Sequence, residues 1–120
     1  MFSLLFPKKN LIHTDLLKGT ADVHSHLLPG VDDGVQSVED MCAALKAMQS
    51  VGVKRVFMTP HVMSDMPGNR RGFLQEHFAK MKELAPEGIE RRVAAEYMLD
   101  SGFRAQMADG LLTYADRQVL

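Results

Sequence analysis

His24 and His26 stand one residue apart, and three aspartates share their thirteen-residue stretch, Asp22-Val-His24-Ser-His26-Leu-Leu-Pro29-Gly30-Val-Asp32-Asp33-Gly34. In an extended segment, residues two apart point to the same face. One strand end can therefore aim both imidazoles at one point. Imidazole suits borderline transition metals such as zinc, iron or manganese, and carboxylate suits harder ions. Pro29-Gly30 turns the chain after the histidines, and Asp32-Asp33-Gly34 turns it again. The second turn can bring a carboxylate back over the imidazoles. An H-x-H by itself is common and usually binds nothing. A metal site requires further donors from elsewhere in the chain.

Two such donors stand where strands are expected to end. Thr20 to His26 reads as a short strand. Val53 to Thr59 reads as a second, and His61 follows it directly behind Pro60, which cannot continue a central ladder. Ile89 to Ala95 reads as a third, with Glu96 at its end. A helix is predicted between the first two strands. Ser37 with Asp40 three residues on is a helix-start signature, Val38, Met41, Cys42, Leu45 and Met48 recur at helical spacing, and Gly52 stops the run. A second helix is expected over about 72–84, with Phe73, His77 and Met81 on its apolar side beside Leu74, Phe78 and Leu84. Pro86-Glu87-Gly88 ends it. His77 and Met81 are read as packing residues. Between His61 and this helix, the segment 63–71 with Pro67, Gly68, Arg70 and Arg71 reads as a mobile loop. A short helix over about 100–108, with Phe103 and Met107 inward, leads to a fourth strand starting at Leu111.

Strands alternating with helices argue for an α/β fold with a parallel sheet. Parallel α/β sheets carry their chemistry at the carboxyl ends of the strands. On this reading three successive strand ends deliver His24 with His26, then His61, then Glu96. That coincidence strengthens the metal reading considerably.

Composition narrows the function classes. A chain of 120 residues with 46% hydrophobic content has the size of one domain. We divide it into a leader over 1–19, where Leu11, Ile12, Leu16 and Leu17 are expected to cover an apolar surface, and a domain over 20–120. The net charge of −1, the lack of tryptophan and the lack of a basic stripe argue against nucleic acid as partner. The apolar run at Met1–Phe6 is too short to span a membrane, and its lysines follow it instead of preceding it. A single cysteine, Cys42, excludes an intrachain disulfide and fits a reducing, cytoplasmic compartment.

The histidine-to-Asp-Asp-Gly stretch, then Thr59-Pro60-His61, then Ala95-Glu96-Tyr97, together resemble the polymerase-and-histidinol-phosphatase (PHP) superfamily. Within it the chain resembles the bacterial capsule and exopolysaccharide protein-tyrosine phosphatases of the CpsB/YwqE type, from about residue 20 onward. The resemblance implies a distorted barrel of seven parallel strands, of which this chain would be the N-terminal half. It implies two or three ions of manganese, or of iron or zinc, at the carboxyl end. His24 and His26 would hold the first, Asp33 and His61 would serve another, and Glu96 would complete the set. Asp22 would orient these ligands, and Arg70 and Arg71 are possible phosphate contacts. The implied reaction is attack of a metal-bound hydroxide on phosphotyrosine. The implied partner is a bacterial tyrosine kinase of polysaccharide export.

Length is the departure from that pattern, because such a barrel takes roughly twice this many residues. The later ligands of the family have no counterpart here. A half barrel is expected to expose a parallel edge and an apolar face, and so to dimerise, swap or associate. Three rival readings stand beside the phosphatase. A cysteine-dependent phosphatase requires an arginine six residues after its cysteine, and Met48 occupies that place after Cys42. A metal-dependent amidohydrolase also opens on H-x-H, but Asp-Asp-Gly and Thr-Pro-His favour the PHP type, in which histidinol-phosphatase activity is a further alternative. A catalytically incomplete fragment is the non-enzyme reading.

Overall fold

The computed structural model describes residues 10–114. Its first regular element is a 3-10 turn, Leu11–His13, capped by the Asn10 side chain, which accepts the Ile12 N–H. Of the four apolar leader residues only Leu17 packs against the core, while Leu11, Ile12 and Leu16 are exposed. The chain then forms β1 (Ala21–Ser25), α1 (Val38–Ser50), β2 (Arg55–Met58), β3 (His61–Val62), α2 (Arg71–Leu84), β4 (Glu90–Val93), β5 (Glu96–Tyr97) and α3 (Phe103–Asp109).

α1 begins where its cap dictates. Ser37 Oγ accepts the Asp40 N–H at 3.1 Å and donates to the Asp40 carboxylate at 2.8 Å. Met41 and Leu45 are fully buried, and Val38, Cys42 and Met48 flank them on the core. Gly52 ends the run in the left-handed region, at φ 98°. It lies so close to Lys18 that a Cβ there would collide with backbone, and its carbonyl accepts the Gly19 N–H at 2.8 Å. α2 buries Leu74 completely, with Phe78 and Met81 behind it at four- and seven-residue spacing. Phe73 is not part of this stripe: it is about half exposed and stacks on His77, with ring centroids 5.7 Å apart. His77 does more than pack, because its Nε2 meets the Pro29 carbonyl oxygen at 2.8 Å.

The sheet departs from expectation at Pro60. β1, β2 and β4 form a parallel sheet in that order. The second strand does not end for good before His61. Pro60 has no N–H to donate, the ladder breaks there, and the chain resumes as β3. The expected third strand likewise breaks at Ala94-Ala95, and Glu96 opens β5 instead of closing β4. β3 and β5 pair in parallel, with His61 opposite Glu96 and Val62 opposite Tyr97. The Glu96 N–H donates to the Pro60 carbonyl at 3.0 Å, which joins the second ladder to the first.

Other corrections concern loops and the C-terminal side. The segment after β3 is pinned and not a free loop. Buried Asn69 donates from Nδ2 to the carbonyls of Val31 and His61, both at 2.9 Å. Arg71 already belongs to α2. α3 is shorter than expected, and Met107 is exposed, while Phe103 meets Tyr97 edge-on. Leu111 to Tyr114 form no strand; the remainder of the expected fourth strand, like residues 1–9 of the leader, lies outside the described residues.

One face of the sheet, with Val56, Met58 and neighbouring Ile89, packs into the core with α1 and α2. The other carries Phe57, since side chains alternate along a strand. Tyr114 covers Phe57 edge-on at 5.0 Å and donates its hydroxyl to the Val23 carbonyl. Beside this pair Glu90 bridges Arg55 and Arg92. The second face is thus part aromatic and part charged, where an apolar face was expected.

Candidate metal centre

The ends of β1, β2–β3 and β4–β5 converge on one cluster. His24 closes on Thr59, whose Oγ1 lies 3.3 Å from His24 Nδ1. Thr59 is fully buried, and its Oγ1 also accepts the Ser25 N–H, at 3.1 Å. His26 Nδ1 meets Asp32 Oδ2 at 2.8 Å. With both Nδ1 atoms engaged, the two Nε2 atoms face each other at 3.2 Å.

Glu96 reaches into this gap. Its Oε2 lies 3.0 Å from His61 Nδ1, 3.3 Å from His26 Nε2 and 3.6 Å from His24 Nε2. That oxygen is buried, yet it has no hydrogen-bond partner of acceptable geometry among the described residues. A buried carboxylate oxygen without a partner is costly. Where the facing ring nitrogens present lone pairs, they do not satisfy a carboxylate, and a cation held between them would. Two donors about 2.1 Å from a single ion stand about 3.0–3.4 Å apart at octahedral or tetrahedral angles. The separations of His24, His26 and Glu96 lie at or near that range. On the other side, His61 Nε2 stands 3.2 Å from Asp33 Oδ1. Two overlapping donor groups result: His24, His26 and Glu96; and His26, Asp32, Asp33 and His61.

The turn after β1 is shaped to bring the carboxylates round. Val35 N–H donates to the His26 carbonyl at 3.0 Å, and a Cβ on Gly34 would run into that carbonyl and into the His26 side chain. Only glycine fits there. The two aspartates then face opposite environments. Asp33 is 78% exposed, and Asp32 is 1% exposed. Burial pushes the Asp32 carboxyl up, but hydrogen bonds from His26 and from the backbone N–H groups of Gly34 and His61 outweigh it. The carboxyl is held below the usual carboxylate range.

All five residues expected to ligate, His24, His26, Asp33, His61 and Glu96, meet in this cluster. Asp22 acts on backbone and not on an imidazole: its Oδ1 accepts the His24 N–H at 3.0 Å. Arg70 and Arg71 form no hydrogen bond or ion pair with the five donors. Arg70 is the exposed N-cap of α2, and the Arg71 guanidinium lies over Gly110. Cys42 sits away from the cluster on α1, its thiol toward the Leu84 carbonyl. Asp32 and Thr59 are the residues that sequence reasoning missed. Asp32 did carry a signal, since an aspartate two residues before a glycine is the usual acceptor for that glycine's N–H.

A family model described as "Capsular polysaccharide synthesis, CpsB/CapC" matches residues 20–111. The tyrosine-protein phosphatase CpsB of Streptococcus pneumoniae is 32% identical over 74 residues, which is 62% of this chain and 30% of that protein. The chain thus spans about 30% of the length of this curated relative.

Proposed function

The chain belongs to the CpsB/CapC family of capsular polysaccharide synthesis, and from that premise we propose that it carries part of the centre of a metal-dependent protein-tyrosine phosphatase. The observation that carries the reading is Glu96 Oε2, buried without a hydrogen bond among the described residues and facing three imidazole nitrogens, two from the end of β1 and one from the start of β3. His24, His26 and Glu96 hold one ion, and Asp33 with His61 holds another. Mixed imidazole and carboxylate donors suit iron, zinc or manganese, and among these the family resemblance favours manganese. Bound ions of this kind make water nucleophilic near neutral pH and neutralise phosphoryl oxygens. The chain's own part is to fix the donors. Thr59 turns His24, the Pro60 break places His61, and the β3–β5 register sets Glu96 against it.

The wider reading follows from the same premise. The parallel sheet with helices on one face is the N-terminal portion of a distorted seven-stranded barrel, and later strands complete the ligand set. The substrate is phosphotyrosine on a protein, by analogy with the relative's activity. A tyrosine kinase that controls polysaccharide export is the partner chemistry this favours, in the cytoplasm. No helix of the described residues is long and apolar enough to cross a membrane.

The test is hydrolysis of a phosphotyrosine peptide by the protein that contains this chain. Activity disappears on thorough chelation, returns with manganese, and is absent in His24→Ala combined with His26→Ala. Cys42→Ser leaves it unchanged. Activity that persists after chelation, or in the double variant, would sink the proposal.

A further inference from the structure

Asp32 and Asp33 are neighbours of the same type, and the structure gives them different partners. Both oxygens of Asp32 are committed. Oδ1 accepts the Gly34 N–H at 2.9 Å. Oδ2 meets His26 Nδ1 at 2.8 Å and accepts the His61 N–H at 3.1 Å. Its side chain is sealed from solvent, and these bonds take three of its roughly four lone-pair sites. The Asp33 carboxylate is exposed, and among the described residues its one polar partner is His61 Nε2.

We propose that the pair divides its work: Asp33 is a ligand, and Asp32 is a positioning residue that holds His26 in its Nδ1–H form and ties β1 to the backbone of β3. An imidazole that donates from Nδ1 presents the lone pair of Nε2, and a carboxylate at Nδ1 raises the basicity of that nitrogen. His26 Nε2 is the atom that faces His24 and Glu96. The same oxygen receives the His61 N–H, so one carboxylate sets the ring of one donor and the backbone of another. Sequence adjacency hides this division, because either aspartate could have been the one turned inward. The inference rests on the metal reading above for the role of Asp33, while the role of Asp32 toward His26 stands without any ion.

Two measurements on the protein that contains this chain separate those parts. The first is the histidine tautomer by 15N-correlated NMR without metal, in the wild type and in Asp32→Asn. The His26 resonance is expected in the Nδ1–H form in the wild type, and it moves toward the Nε2–H form in the variant. A wild-type His26 in the Nε2–H form, or one unmoved by the substitution, overturns the proposal whatever the metal content. The second is manganese titration calorimetry. Asp32→Asn is expected to keep the ion count and weaken binding about 10- to 100-fold, the usual effect of losing a partner behind a ligand. Asp33→Asn is expected to lose an ion. The reverse pattern overturns the division of labour. A wild type that binds no manganese, iron or zinc at all overturns the metal reading and the Asp33 assignment with it, and leaves the tautomer result to decide on Asp32. Asp32→Glu supplies a check on folding: it keeps the charge but displaces the oxygens, so a tautomer change in a normally folded variant supports geometry as the cause.

Discussion

His24 shows how much of this site depends on atoms that never touch a ligand. Its ring is more exposed than that of His26, and its only fixed partner on the far side is Thr59 Oγ1. Thr59→Val keeps the shape and removes the hydroxyl. We expect it to weaken binding of the ion at His24 about tenfold or more while leaving the ion count unchanged, read by manganese titration. The His24 and His26 spacing, His61 and Glu96 stood out in the sequence because ligand chemistry needs particular residue types, whereas Asp33 was separated from Asp32 only by the family resemblance. Asp32 and Thr59 did not stand out, because a hydroxyl or a second carboxylate has many ordinary uses, and burial decides which one applies.

At the scale of the element, capping was the most readable signal. Ser37 and Asp40 predicted the start of α1 to the residue. Ser37→Ala is expected to cost about 1 kcal/mol of stability, measured by urea denaturation. Helix faces were less legible. Phe73 lies one position from the true stripe at Leu74, and both series are apolar, so periodicity alone could not separate them. The division of two long strands into β2 with β3, and β4 with β5, was half visible. Pro60 announced the first break, but nothing in Ala94-Ala95 announced the second, which follows only from pairing with an interrupted neighbour. A further tie joins the loops behind this second tier. Asp100 accepts the N–H and the hydroxyl of Ser64, at 2.7 and 2.8 Å, and these bonds hold its carboxyl below the ordinary value of 3.8. A carboxylate whose value is lowered by folding stabilises the fold above its unfolded value and loses that contribution as pH falls through the folded one. The stability advantage of the wild type over Asp100→Asn is therefore expected to hold at neutral pH and to close below about pH 3.8 in denaturant titrations.

On the scale of the whole molecule, the described sheet has two free sides. β1 and β4 are both edge strands of this sheet, and Tyr114 packs on Phe57 on its outer face. Asp22 occupies the His24 N–H on β1 and blunts that edge only in part. Unpaired parallel edges invite pairing. The 120-residue chain by itself is expected to associate, with a sedimentation mass that rises with concentration. On the barrel reading proposed above, addition of further strands should return it to a defined species. A monomer at all concentrations would show that the edges are adequately blunted as they stand.

The pairing of His61 with Glu96 has a further consequence. β3 and β5 are two residues long each, so their ladder carries very little registration energy of its own. Sliding one strand by a single residue would turn its donor to the opposite face. Any ligand that must grip both side chains at once accepts only the correct alignment. Should the site hold an ion as proposed, occupancy would act as a proofreading step for the fold, leaving unfilled the chains that have zipped out of step.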